Sequence, residues 1–406
     1  MAVGLIANAV FVWITDTRLE RQLTAIRTAG DPVTLADLAR PPIAPETNAA
    51  TYLRRAQADM AAIEKETMNV HPVSDCPGFR LPPADEKTVK AALTAYPNVI
   101  PLLERAAACS DYDAELDYTL SANDFLAKYL DIASQPRSAA RVLHHRADLL
   151  VAEGNRDEAV RTALLIFKLA RLVDRNPMIV AYLVALAIRG HAIESANTAL
   201  QTGPVSKEVC DALDAELAIQ DRMEGFVWAI KSERAYNVES FRKFPGRNFW
   251  LVGRGFWNTQ ESACLDIYTT LFALARDPGP YREIEESIEI RKSVFARLVF
   301  PYIKVTYTAV ARTRAEIRCL RVLIALQRHA SGGGNELPKL TELHLSAEST
   351  TDPFTGEALH AKRTPQGWLI YSVGSNLRDD GGNLNDPTNN DVGVGPPPPA
   401  KPAAKP

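Results

Sequence analysis

The residues best suited to chemistry lie near the C-terminus, in a loop rich in Asp, Asn and Gly. Its candidate ligands are Asn376, Asp379, Asp380, Asn383 and Asp386. Carboxylate and amide oxygens, together with main-chain carbonyls in glycine turns, are the ligands that Ca²⁺ prefers. The spacing matches no EF-hand loop, and an ordinary Asn/Asp/Gly turn accounts for the same residues. The loop is therefore a candidate calcium site, and calcium is the one cofactor that the sequence suggests.

Catalytic residues do not assemble in the sequence. His144 and His145 are adjacent, and we expect both to be half exposed on a helix. His191 and Glu194 lie one helical turn apart, but no HExxH motif or second ligand pair accompanies them. No nucleophile, base and orienting group can be combined, so we predict no catalytic residue and a protein that is not an enzyme.

Aromatic and basic residues alternate between Phe226 and Trp257, a segment that holds three of the tryptophans. Aromatic rings stack on bases or lie at lipid headgroups, and cations meet phosphates. The rings either cover the helical core as part of a long insertion or contact a protein, a lipid or a nucleic acid. A net charge of -3 supplies no field that attracts nucleic acid, so we predict no such partner. The predicted interaction surface comprises Trp228, Phe249, Trp250, Arg254 and Trp257.

Length and composition describe an ordinary globular chain. Its 406 residues suffice for two or three domains and a substantial core, and its charges nearly balance. The five cysteines include no CxxC pair, which argues against a zinc pattern or a disulfide framework. Most of them are expected to be small buried apolar residues. Only Cys76 and Cys109 lie in polar contexts where a disulfide could form in an oxidising compartment.

The N-terminal segment from Ala2 to Ile14 carries no charge and has Trp13 near its end. A membrane-spanning helix needs about 20 apolar residues, and this run is shorter and lacks the features of a cleavable signal peptide. A Trp followed by charged residues is nevertheless typical of the exit end of an anchor helix. We predict a single N-terminal membrane anchor, with a buried or interfacial helix as the alternative. The arginines that follow would by themselves keep the body in the cytoplasm.

Helical spacing dominates the rest of the chain. Residues 138–153 and 157–173 predict two helices joined at Gly154, a hairpin similar to the tetratricopeptide type without a second copy at a fixed period. The uncharged run 178–188 predicts a buried central helix, because about eleven residues are too few for a span. A long helix is predicted over 287–330, with a kink or break at Pro301.

A small β module is predicted after this long helix. Residues 352–356, DPFTG, form a turn, and the strands cover 359–363 and 368–373. The acidic glycine-rich loop follows the second strand.

The order of long helix, Leu-Pro, DPFTG, strand, YSVG and DDGG resembles the C-terminal half of the major pseudopilins of type II secretion. The resemblance covers about Arg312 to Asp386 and implies that a helix carries a small sheet and that the acidic loop binds calcium. The long helix lies far from the N-terminus and no prepilin cleavage site is present, so polymerisation into a pseudopilus is not implied. The whole chain also resembles uncharacterised bacterial envelope proteins that combine an anchor, a helical middle and this ending.

We therefore predict a mainly α fold: a multi-helix body with one tetratricopeptide-like hairpin and a small C-terminal α+β module. Residues 1–30 form an anchor and linker, 31–290 the helical body, 291–382 the long helix and β module, and 383–406 a disordered tail. The predicted function is a non-catalytic scaffold tethered to the cytoplasmic membrane, with other envelope proteins as partners. The body is placed outside that membrane because the resembling proteins are envelope proteins. The alternatives are an enzyme or enzyme subunit whose site forms only in three dimensions, and a component of a secretion system.

Overall fold

The computed structural model describes residues 2–243, 253–276, 281, 294–331, 337–384 and 391–397. The predicted fold class is confirmed, since these residues are mainly helical and end in a small sheet. The helices are α1 Ala2–Thr28, α2 Ala49–Thr67, α3 Pro83–Ala95, α4 Val99–Ala108, α5 Ala122–Ile132, α6 Ser134–Ala152, α7 Arg156–Val173, α8 Ile179–Gln201, α9 Lys207–Gln220, α10 Glu224–Arg242, α11 Gly253–Arg276 and α12 Val294–Ser331. The strands are β1 His360–Thr364, β2 Gly367–Ser372 and β3 Val392–Val394.

The predicted hairpin of α6 and α7 is confirmed and forms the centre of the body. Gly154 makes the turn between the two helices with a positive φ of 81°, a conformation that favours glycine. On α7, Val160, Ala163, Phe167 and Ala170 follow one another at intervals of three or four residues, and all are fully buried. This face packs against α8, and α6 packs against both helices.

α8 is the central core helix, as the uncharged run in its first half predicts. It is the one helix among the described residues that is long and apolar enough to cross a membrane, yet 67% of its most apolar window is buried inside the protein. Its apolar residues pack against α6, α7, α10 and α12. Burial on several sides explains a helix that is apolar all round.

α12 joins the body to the C-terminal module. Arg314 and Arg318 donate hydrogen bonds to the two carboxylate oxygens of Asp221, at 2.8 and 2.9 Å. Both arginines also reach Glu348, which precedes the sheet. The helix continues past Pro301, where a kink or break was predicted. A proline removes one main-chain hydrogen bond, which a 38-residue helix tolerates.

The three strands form an antiparallel sheet in the order β1-β2-β3. The two predicted strands are confirmed to within about one residue at each end. β3 lies inside the stretch predicted to be disordered, so that prediction was wrong for residues 391–397. Val392 and Val394 are 6% and 2% exposed, and Gly393 lets the two main chains approach closely, since a Cβ there would lie 2.1 Å from the oxygen of Ile370.

Two local expectations are corrected by the fold. The segment from Phe226 to Trp257 is not one insertion, because its first part is α10 and Phe226 itself is 2% exposed in the core. Helical spacing of Phe226 and Ile230 places both on the buried face of α10. Cys76 and Cys109 are both free thiols, and four of the five cysteines are buried as predicted.

Candidate functional site

α6 and α8 bring together two histidine-containing pairs that are about 50 residues apart in the sequence. α6 supplies His144 and Asp148, four residues apart, and α8 supplies His191 and Glu194, three residues apart. One ligand atom each from His144, His191 and Glu194 lies within 4.8 Å of the others. Among the described residues, no other set of three His, Cys, Asp or Glu side chains gathers this closely. We name these four residues the His/acid cluster.

Hydrogen bonding fixes the orientation of His144. Its Nδ1 lies 2.8 Å from the hydroxyl of Ser195 on α8. Its Nε2 therefore faces the acidic side chains, 3.6 Å from Asp148 Oδ2 and 3.7 Å from Glu194 Oε2. His144 is 7% exposed, so the prediction that it is half exposed was wrong. The packing of α8 across α6, which local spacing does not reveal, covers the ring.

Burial governs the electrostatics of this cluster. Desolvation raises the pKa of Asp148 to about 7. The neighbouring His144 lowers this pKa, but by less than burial raises it. Desolvation, together with the nearby His144, lowers the pKa of His191 to about 4. The His191 imidazole is therefore neutral near pH 7 and keeps a lone pair for a metal or a proton.

A cavity of about 350 Å³ borders the cluster. His191 and Glu194 line one wall, and Glu316 of α12 and Val394 of β3 line another. Burial raises the pKa of Glu316, which pairs with Arg312 at 3.1 Å. The C-terminal module thus forms part of the wall of an open pocket next to the histidines.

The first half of α1 presents a second feature, which we name the N-terminal apolar surface. Seven of its eight large apolar side chains are 45–81% exposed: Val3, Leu5, Ile6, Val10, Phe11, Trp13 and Ile14. The second half of α1 is docked instead, with Leu19 and Leu23 buried against Val238 and Leu265. Ion pairs of Arg18 with Asp266, at 2.7 Å, and of Asp16 with Arg254, at 2.9 Å, join it to α11.

The predicted aromatic and basic surface divides into two places. Trp228 lies near the start of α10, and Trp257 contacts Phe241 near its end with ring centroids 6.3 Å apart. Thirteen residues of helix separate those contact points by roughly 20 Å. Trp228 and Trp257 therefore lie in two separate places, and the role of the predicted residues as an interaction surface stays a prediction. Phe249 and Trp250 lie outside the described residues, while Arg254 pairs with Asp16.

Trp228 borders a cavity of about 590 Å³ that we name the arginine cavity. Its indole N–H donates to the carbonyl oxygen of Arg175 at 3.2 Å. Five arginines but only two acidic residues line this cavity: Arg40, Arg171, Arg175, Arg189 and Arg222 against Asp174 and Glu224. Four of these arginines pair with carboxylates, Arg189 with Asp174, Arg171 with Glu216, and Arg40 and Arg175 with Asp111. Among the described residues, Arg222 forms no ion pair.

The acidic glycine-rich loop is held by hydrogen bonds within the protein. Asp379 Oδ1 accepts from the Tyr371 hydroxyl and the Gly381 N–H, at 3.0 and 2.9 Å. Asp380 Oδ2 accepts from the amide of Asn376 at 2.8 Å. Asp391, which sequence reasoning missed, accepts from the N–H of Asp380 and of Gly382. Asn383 is in the same loop, and Asp386 lies outside the described residues, so the calcium site stays a prediction.

Comparison with known proteins assigns no family to this chain. No family model, no curated protein and no solved structure matches it. The geometry of the described residues is therefore the basis for a functional proposal.

Proposed function

We propose that this protein is a non-catalytic helical scaffold that is tethered to the cytoplasmic membrane through α1 and binds other envelope proteins. One observation carries the proposal: the N-terminal apolar surface lies in water on a helix whose continuation is firmly docked. Burying one large apolar side chain contributes about 1.5–3 kcal/mol. Insertion of seven such side chains into lipid is therefore strongly favourable.

The dimensions of α1 suit an anchor that leaves the body at the membrane surface. Residues 2–14 extend roughly 20 Å, about two thirds of the hydrocarbon thickness. Trp13 lies where an aromatic residue would meet the headgroups, and Asp16 and Arg18 follow in the aqueous layer. Because the second half of α1 packs on α11, the tether also sets the orientation of the helical body.

The arginine cavity supports the scaffold part of the proposal. Arg222, which forms no ion pair among the described residues, and Trp228 fit an acidic segment of a partner, since Arg and Trp are enriched at protein interfaces. Arg222 is exposed at the edge of this cavity and provides a site for charge reversal. An extracytoplasmic position of the body is supported by the resemblance to envelope proteins.

Vesicle flotation tests the tether. The full chain should float with vesicles of phosphatidylcholine and phosphatidylglycerol, and Ile6→Lys should release it. Thr24→Lys is the matched control, because it adds the same charge at an exposed position in the docked half of α1. Failure of the unmodified chain to float, or equal flotation of both variants, would refute the tether.

Cross-linking in membranes tests the scaffold. Arg222→Glu should reduce capture of envelope proteins that the unmodified chain captures, because the reversed charge repels an acidic partner. Arg80→Glu changes another exposed arginine, which lies outside the arginine cavity, and should leave capture intact. Identical capture profiles for the two variants would show that this cavity is not the partner site.

A further inference from the structure

We propose that His144, His191 and Glu194 of the His/acid cluster bind one divalent transition-metal ion of the zinc type, with the buried Asp148 beside them. The site is independent of the membrane tether, because its ligands lie on α6 and α8 and not on α1.

The distances suit a small tetrahedral ion. Zinc lies about 2.0–2.2 Å from nitrogen and oxygen ligands, so neighbouring tetrahedral ligands are roughly 3.4 Å apart. His144 Nε2 already lies 3.6 Å from Asp148 Oδ2 and 3.7 Å from Glu194 Oε2. Small side-chain movements would close the rest of the ligand set, which spans 4.8 Å for His144, His191 and Glu194.

The chemistry of the donors selects the class of ion. Two imidazoles with one carboxylate are typical protein ligands of zinc and its transition-metal neighbours. Calcium and magnesium prefer all-oxygen surroundings, with six or more ligands around calcium. The His144 Nδ1 contact with Ser195 resembles the outer hydrogen bond that orients most metal-binding histidines.

An uncompensated buried carboxylate gives the independent second observation. Asp148 is 3% exposed, and its Oδ1 has no hydrogen-bond partner. Burying a charged group without a partner is costly. Among the described residues, His144 is the only basic side chain that pairs with either Asp148 or Glu194. His144 thus faces two carboxyl groups, and a divalent cation would place positive charge beside the unpartnered Oδ1 of Asp148.

The adjoining cavity gives an ion access to the ligands. His191, Glu194 and Gly190 lie on its wall, while His144 and Asp148 lie behind them in the core. Gly190 has no side chain to obstruct the opening, and a Cβ built there would meet no atom within 4 Å.

Metal titration of the full chain tests this site. After treatment with a chelator and dialysis, calorimetry with zinc chloride should show one bound ion, and Co²⁺ should give the visible absorption bands of a tetrahedral complex. His191→Gln and Glu194→Gln should each weaken zinc binding at least tenfold. His145→Gln is the matched control, because His145 is adjacent to His144 but lies outside the group that can share an ion.

The outcomes separate a metal site from a purely structural cluster. Glu194 is partly exposed, so its replacement tests binding even where a buried histidine variant fails to fold. Absence of zinc binding in the unmodified, folded chain would overturn the proposal. Equal loss of affinity in the His145 and His191 variants would overturn the assigned ligand set.

Discussion

Replacement of Asp352 by Ala should open the C-terminal module without unfolding the helical body. Asp352 is 1% exposed and its carboxylate accepts three hydrogen bonds. The donors are the N–H of Phe354 at 2.8 Å, the hydroxyl of Ser372 at 2.8 Å and the N–H of Val373 at 3.1 Å. The side chain therefore ties the DPFTG turn to the end of β2.

The magnitude follows from the donors that Ala would leave unpaired. The Ser372 hydroxyl can rotate toward another acceptor, but the two main-chain N–H groups are fixed. Each buried unpaired donor costs about 1–3 kcal/mol, so Asp352→Ala should lower the opening free energy of the module by about 4 kcal/mol. Amide exchange around Phe354 and Val373 should then accelerate by roughly 10³-fold, provided that exchange follows opening.

Hydrogen exchange measured by mass spectrometry on peptides from residues 350–375 provides the assay. Asp352→Asn keeps one acceptor oxygen but turns a donor toward Val373, so its effect should lie between those of Ala and the native residue. Glu357→Ala removes an exposed acid from the same turn and should change exchange little. Exchange in Asp352→Ala within tenfold of the unmodified chain would refute this account of the turn.

Four further substitutions test the sheet, a core helix, a buried acid and the anchor. Gly393→Ala should lower the melting temperature, because the new Cβ would clash with the main-chain oxygen of Ile370. Gly190→Ala should instead raise the free energy of unfolding by about 0.5–1 kcal/mol, because alanine favours a helix more than glycine and its Cβ would meet no atom there. Burial raises the pKa of Glu233 from 4.5 to about 7. The folded state therefore binds a proton more tightly than the unfolded state, and the free energy of unfolding falls as the pH rises from 4.5 to 7, by at most about 3 kcal/mol. Glu233→Gln should remove this fall. Denaturant unfolding at pH 5 and pH 8 measures the difference in the free energy of unfolding, and the same difference in the variant as in the unmodified chain would contradict the assignment. Ile6→Lys should reduce vesicle partitioning about 100-fold, since a lysine in place of an apolar residue in the membrane costs about 3 kcal/mol, and a reduction below threefold in a flotation assay would argue against insertion of this residue.

Local patterns predicted the helices and the hairpin strands because they depend on neighbouring residues. The spacing of apolar residues on α7 and the glycine turn at Gly154 each specify a local conformation. β3 escaped prediction because it is only three residues long and has Gly393 at its centre, which weakens the strand pattern of the two flanking valines. Its position depends on the close approach to β2, which is a tertiary contact.

The His/acid cluster shows the same division between local and tertiary information. The sequence placed His191 and Glu194 on one face of a helix, since residues three apart lie one turn from each other. It did not show that α8 crosses α6 at His144, because the pairing of two helices is set by the shapes of their packed faces. The burial of His144 and the solvent exposure of the apolar side chains in the first half of α1 likewise could be seen only in the folded structure.

Two charged residues of α8, Arg189 and Glu194, differ in how completely their charges are paired, and this difference supports the metal proposal. It is an apolar core helix, yet it carries Arg189 as well as Glu194. The buried Arg189 guanidinium is fully engaged, since it binds both carboxylate oxygens of Asp174 and donates to Gln220 at 2.7 Å. On the same helix, Glu194 shares a single imidazole with the buried Asp148. The fold thus balances a buried cation with ample acceptors but leaves two acids with one basic partner, which is the imbalance that a bound divalent ion would correct.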